Sequence, residues 1–236
     1  MPAGSPWRMR TMEGIGGSGS DDPPAAPTIL PMIEETVHGI RVLRGALSPA
    51  EQRALLADLR AVAEAAPPFS PVTGWGKPMS VRITAAGRFC WFSDRRGYRY
   101  VEAHPETGRA FPPIPPLALR IWRMFEDRAD PDCCLVNHYR EKARMGLHRD
   151  EDEADFSFPV VSVSLGDPGL FRIGGAERKA PTRSFWLHSG DAMALEGDTR
   201  LAYHGIDRIR FGETALLKGG GRLNVTLRRV TEIDSD

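Results

Sequence analysis

The chain lacks an excess of either charge: 31 Lys and Arg stand against 31 Asp and Glu in 236 residues. No bulk polycation is available to coat nucleic acid, although local patches remain open. It also lacks an apolar run of about 18 residues, which excludes a membrane-spanning helix and leaves no membrane partner. Its N-terminus has no apolar stretch of roughly 7–15 residues to serve as a secretory signal. Cysteine is scarce, with Cys90, Cys133 and Cys134 alone. Adjacent Cys133 and Cys134 would be strained disulfide partners, and no CxxC pair occurs. Buried thiols in a reducing compartment, and a cytoplasmic protein, are therefore expected. There is no internal repeat. What the chain does have is ordinary globular composition, 41% hydrophobic and 26% charged, which excludes wholesale disorder. It is also rich in turn formers, with 24 Gly and 20 Pro, a mixture that suits many short strands better than a helix bundle.

Residues 1–27 read as a tail, with GGSGS followed by Asp21-Asp22-Pro23-Pro24 and little to build a core. Either Met1 or Met12 could open the chain. Order is expected from about Ile29, in a single domain over 28–236. Val37 to Leu47 looks extended. Ser48-Pro49-Ala50-Glu51 then carries a cap, a first-turn proline and a capping-box glutamate, so a helix should run to the residues before Pro67-Pro68. A second helix is predicted over Leu117–Arg128. Between them, MSVRI, RFCWF and YRYV within Met79–Val101 read as strands and turns. From Cys133 onward short strands dominate: Leu135–Tyr139, Phe158–Leu165, Leu170–Gly174, Ser184–His188, Ala192–Glu196 and Arg222–Arg229. The fold class is mainly β with flanking α, an antiparallel sandwich or jelly roll with helices outside one sheet.

Two patterns carry chemistry. His148 is followed by Asp150, and residues two apart on an extended segment point to the same side. An imidazole and a carboxylate would converge there. A third ligand, another histidine, would complete the two-histidine, one-carboxylate set of non-haem Fe(II) oxygenases. HxD alone is a weak signal, because chance supplies it often. The second pattern is Arg222-Leu223-Asn224-Val225-Thr226-Leu227-Arg228, which alternates strictly. Its polar face would be solvated on an edge strand. Alternatively, Arg222 and Arg228 could grip a dicarboxylate with their guanidinium forks.

Taken in order, these motifs resemble the AlkB family. They are Asn137-x-Tyr139, Leu147-His148-x-Asp150-x-Asp152, Val161 to Gly166, Phe171-x-x-Gly174-Gly175, His188-x-Gly190-Asp191, Tyr203-His204-Gly205 and the Arg222–Arg228 strand. That family comprises Fe(II)- and 2-oxoglutarate-dependent nucleic-acid dealkylases, and the match, over roughly residues 70 to 229, is most similar to its bacterial DNA-repair members. The resemblance implies a double-stranded β-helix, with a nucleotide-recognition lid at about 68–101 and a catalytic core at about 133–229. It implies that His148, Asp150 and His204 hold iron. Arg222 would pair with the distal carboxylate of 2-oxoglutarate, Asn137, Tyr139 and Asn224 would hydrogen-bond the co-substrate, and Arg228 would lie near its keto-acid end.

Trp91 to Tyr100 interleaves aromatics with arginines, which suits base stacking and phosphate contact, or else a core strand with a basic hairpin tip. The resemblance favours the lid, with Trp91 stacking on an extruded base and Tyr98 bonding the adjoining phosphate. Asp152 and Arg178 match positions near the base edge, and Asp152 would suit a cationic base such as 1-methyladenine or 3-methylcytosine. Met79 and Ser80 would shape the lid, and Thr73 and Lys77 are weaker contacts. Gly74-Trp75-Gly76-Lys77 departs from the family's glycine-plus-tyrosine pattern, and Glu151 stands where a basic residue would better suit a DNA backbone. The implied reaction is oxidative demethylation of alkylated DNA, single- or double-stranded, with RNA as an alternative substrate. 2-Oxoglutarate and O2 would be converted to succinate and CO2, and formaldehyde released. A protein substrate, a noncatalytic nucleic-acid-binding module and a Zn(II) hydrolase are the competing readings. The default assembly is a monomer.

Overall fold

The computed structural model describes residues 32–73 and 76–232. The tail, Ile29 and Gly74-Trp75 lie outside them. Strands β1 (Ile33–Val37) and β2 (Ile40–Arg44) form a hairpin. Its two-residue turn, His38-Gly39, has φ of 53° and 84°, the double positive φ that matches strand twist. The extended segment expected over 37–47 is thus two pieces, because His38-Gly39 reverses the chain. Helix α1 (Pro49–Ala65) follows, and its capping box is formed: Ser48 N donates to Glu51 Oε2 at 2.8 Å and Glu51 N donates to Ser48 Oγ at 3.4 Å. It buries Leu55, Leu56, Leu59 and Val62 on one face.

Helix α2 (Pro116–Trp122) stops well short of Arg128. Beyond it, Glu126 accepts from the Arg128 amide at 2.8 Å, and Trp122 Nε1 donates to the Ala129 carbonyl at 2.8 Å. Side-chain bonds to nearby backbone compete with a continued helix and curl the chain into turns.

The remaining strands are β3 (Val81–Gly87), β4 (Cys90–Asp94), β5 (Gly97–Val101), β6 (Cys133–Tyr139), β7 (Met145–His148), β8 (Val160–Gly166), β9 (Gly169–Ile173), β10 (Arg183–Leu187), β11 (Ala192–Leu195), β12 (His204–Ile209) and β13 (Arg222–Arg228). They build a seven-stranded sheet in the order β1-β2-β11-β8-β13-β6-β3, a four-stranded sheet in the order β10-β9-β12-β7, and the β4-β5 hairpin. β7 and β12 were not foreseen as strands, since Met145–His148 and His204–Ile209 are short and lack clean alternation.

One apolar layer lies between the helices and the large sheet, where Leu55, Leu59, Ile121 and Trp122 meet Val163, Leu223, Val225 and Leu227. A second lies between the two sheets, with Ile83, Leu135, Phe171, Met193 and Ile206. The result is a jelly roll whose helices back one sheet. β13 is an interior strand of that sheet, paired along its length to β6 and β8. Cys90, Cys133 and Cys134 are buried free thiols.

Candidate metal centre and adjoining pocket

β7 and β12 lie side by side, and their register sets His148 opposite His204. Gly205 permits this approach: a Cβ there would stand 2.5 Å from the Met145 carbonyl oxygen and 2.8 Å from that of Gly146. The two rings are 4.5 Å apart between centroids. Asp150 places Oδ1 3.9 Å from His148 Nε2 and Oδ2 3.7 Å from His204 Nε2. One ligand atom from each of the three residues lies within 4.8 Å of the others. Nδ1 of His148 is 2.9 Å from the Gly146 carbonyl oxygen, and Nδ1 of His204 is 3.0 Å from that of Ala202. Those carbonyls accept the Nδ1 protons and leave each Nε2 lone pair free for a metal.

β7 ends at His148, so strand alternation is not what aims Asp150. Two arginines aim it instead. Arg200 Nη1 donates to the Asp150 carbonyl at 2.8 Å, and Arg228 Nη2 donates to Asp150 Oδ2 at 2.9 Å. Glu153, with only 1% of its side chain exposed, ties both arginines together: Arg200 Nη2 is 3.1 Å from Oε2 and Arg228 Nε 3.2 Å from Oε1. Tyr100 of β5 donates its hydroxyl to the same Oε1 at 2.5 Å. Burial opposes ionisation of Asp150, yet Arg228, then His204 and His148, outweigh it and hold the carboxyl well below the usual carboxylate range. Burial, helped by the adjacent His148, takes His204 down to about 4, so this imidazole is neutral at pH 7. Sequence reasoning missed Arg200 and Glu153. Glu153 was hidden in the acidic run Asp150–Glu153, and Arg200 follows a turn with no pattern of its own.

The polar face of β13 points between the sheets, not to solvent. Arg222 is 0% exposed. Its Nη2 donates to Ser164 Oγ at 2.8 Å and to Asn224 Oδ1 at 3.2 Å, while Nε and Nη1 have no hydrogen-bond partner among the described residues. Burial lowers this guanidinium to about 10, so it stays charged at pH 7. Buried unpaired donors cost about 1–3 kcal/mol, and a carboxylate oxygen would satisfy them. Asn224 lies in register between Asn137 and Ser164, and Arg222 between Tyr139 and Gly166.

A cavity of about 420 Å³ is lined by the three-residue cluster, by Asn137, Tyr139 and Asn224, and by Trp91, Tyr98, Met79, Asp152 and Arg178. Arg222 does not line it and lies buried beyond. Thr73 reaches the lining; Lys77 and Ser80 do not. Ser80 Oγ instead donates to the Arg144 carbonyl at 2.9 Å. Trp91 Nε1 donates to Asp152 Oδ2 at 3.1 Å, and the Trp91 and Tyr98 rings stack at 5.3 Å. Tyr98 is 60% exposed. Partial burial raises the Asp152 carboxyl despite the Trp91 bond. Glu151 pairs with Arg149.

A family model for the 2OG-Fe(II) oxygenase superfamily matches residues 39–228. An alpha-ketoglutarate-dependent dioxygenase AlkB homolog of Caulobacter vibrioides is 56% identical over 194 residues, covering 82% of this chain and 88% of that protein. This chain belongs to the AlkB family. AlkB of Escherichia coli K12 is 37% identical over 188 residues, covering 77% of this chain and 86% of its own. A solved structure, that of OsALKBH1, superposes with a TM-score of 0.71 at 26% identity, covering 84% of this chain and all of that one. As an AlkB-family member the chain is a dioxygenase that uses Fe(II), 2-oxoglutarate and O2. The His–Asp–His donors fit such an iron, and the unpaired N–H groups of Arg222 fit a carboxylate. Among the described residues no helix is long and apolar enough to cross a membrane.

Proposed function

We propose that the chain is an oxidative nucleic-acid demethylase that restores alkylated DNA bases, with 1-methyladenine and 3-methylcytosine as its substrate class. The observation that carries this reading is a single cavity whose lining includes both the three-residue cluster and a Trp91–Asp152 pair bonded at 3.1 Å. When bound, Fe(II) with 2-oxoglutarate and O2 supplies the hydroxylation of the N-methyl carbon, which ends as formaldehyde beside succinate and CO2.

The protein's own groups do the rest. His148, Asp150 and His204 hold the metal, with Arg228 and Arg200 fixing the carboxylate. Arg222 takes the distal carboxylate of 2-oxoglutarate, while Asn137, Tyr139 and Asn224 bond its remaining oxygens and Arg228 flanks its keto-acid end. Residues 68–101 form the lid and 133–229 the catalytic core of one domain that extends over 28–236. Trp91 stacks on the flipped base, and Tyr98, exposed at the rim, contacts the neighbouring phosphate. Asp152 offers negative charge to a cationic base edge, with Arg178 beside it and Met79 closing the apolar side.

The test is formaldehyde release from a methylated single-stranded oligonucleotide with Fe(II), 2-oxoglutarate and O2. Release from methylated and not from unmethylated strands is expected. Succinate formation without any base-dependent formaldehyde would overturn the substrate assignment. Running the same strands as RNA separates the two nucleic acids.

A further inference from the structure

A second cavity, of about 360 Å³, lies on the opposite side of the large sheet. Strand alternation sets the two back to back: Asn137, Tyr139 and Asn224 face the first, while His138 and Leu223 line the second. Three cations converge on it from three separate elements. Arg60 comes from α1, Arg140 follows β6 directly, and Lys218 stands in the loop before β13. One acid, Glu141, is in the lining. Among the described residues the side chains of Arg60, Arg140 and Lys218 make no hydrogen bond or ion pair. In a chain whose charges balance at 31 against 31, three cations against one acid around one hollow stand out.

The loop beside them is shaped for close approach. Gly219 and Gly220 take φ of 94° and 76°, a region that favours glycine. A Cβ on Gly220 would lie 3.0 Å from the Phe211 ring, and that ring is 44% exposed at the rim. Burial, then Arg140 and Arg82, takes the adjoining His138 down to about 4.

We propose that this cavity is a phosphate-binding site, separate from the catalytic pocket, in which Arg60, Arg140 and Lys218 take the anionic oxygens and Phe211 borders whatever carries them. Phosphate fits better than a lone carboxylate, because three cations approach from three directions and a tetrahedral anion presents oxygens to all of them. The phosphate can come from the backbone of a bound nucleic-acid strand or from a free nucleotide or inorganic phosphate, and the chemistry of the site is the same for both.

The experiment uses the full chain, metal-loaded and saturated with 2-oxoglutarate so that Arg222 is already occupied. Inorganic phosphate is followed by equilibrium dialysis, and a long unmethylated single strand by its salt-dependent affinity. The variant is Arg60→Glu/Arg140→Glu/Lys218→Glu. Arg140→Gln provides a milder change, and Arg53→Glu on the exposed side of α1 controls for general charge effects. Saturable phosphate binding that the triple variant loses, that Arg140→Gln weakens and that Arg53→Glu keeps supports the site. If the variant also lowers the salt slope for the strand by about 2, the source is backbone phosphate, since each lost contact removes about 0.7. An unchanged slope with lost phosphate binding assigns the site to free phosphate. No saturable phosphate binding in the unaltered protein, together with an unchanged slope in the triple variant, overturns the proposal. A protein that binds no strand at all would count against the proposed function and leave the phosphate measurement to decide this one.

Discussion

The inner face of β13 and the β4-β5 hairpin border the same cavity but are built in opposite ways. Arg222 and Arg228 sit on an interior strand of a seven-stranded sheet, and both are buried. Trp91 and Tyr98 belong to a two-stranded ribbon, and Tyr98 is 60% exposed. Hydrogen bonds such as Ser93 Oγ to the Val72 carbonyl at 2.6 Å tie that ribbon to the loop beside it. The first region is fixed before anything binds. The second has room to adjust to a base and its phosphate. Preorganisation at the reacting end and adaptability at the recognising end is an economical division for the proposed function, in which a flipped nucleotide has to be accepted.

If that contrast holds, damage to the fixed region should be far more costly. Asp150→Ala should abolish formaldehyde release while leaving strand binding in place, because it removes a ligand and the anchor of Arg228; turnover at the unaltered rate would remove the metal assignment. Arg222→Ala should raise the KM for 2-oxoglutarate on the order of a hundredfold, as truncating one partner of a buried charged pair costs roughly 2–5 kcal/mol. A KM that moves less than threefold would show that the co-substrate does not reach Arg222. Trp91→Ala should weaken binding of a methylated strand by about 1–3 kcal/mol, the typical contribution of one stacked base, with succinate formation in the absence of DNA retained. Loss of both activities would mean that the hairpin supports the fixed region and the contrast is false.

The smallest effect concerns pH. The folded chain keeps His138 neutral down to about 4, whereas an unfolded histidine takes its proton near its ordinary value of 6.5. The unfolded state therefore binds more protons between those values, and stability rises with pH across that window. His138→Gln should flatten this part of the urea-midpoint profile. An identical slope in the variant between about pH 4.5 and 6.5 would show that the half-buried imidazole is not the source.

Much of this was legible in the chain because strict alternation survives translation into structure. Arg222–Arg228 reads as one polar and one apolar face, and the turn-bounded strands from Cys133 onward read as a β sandwich. What alternation leaves open is which face is inside. An edge strand would have put Arg222 in water; only the helices behind β13, which claim Leu223, Val225 and Leu227, turn the polar face inward. The capping box at Ser48 was visible because its signal is local. The end of α2 was not, because Glu126 and Trp122 are satisfied by partners that only the turn beyond them supplies. Glu153 and Arg200 have no local signature, since their meaning comes from meeting each other 47 positions apart.

The antiparallel pairing of β13 to both neighbours has one further consequence. Sliding the strand by a single residue would send three aliphatic side chains into the reaction chamber and four polar ones against the helices. Its alignment is locked from both sides, so catalytic geometry cannot drift gradually under heat or denaturant. Chemistry and the global fold should vanish together at one midpoint, and the hairpin, held to Glu153 through Tyr100, should go with them.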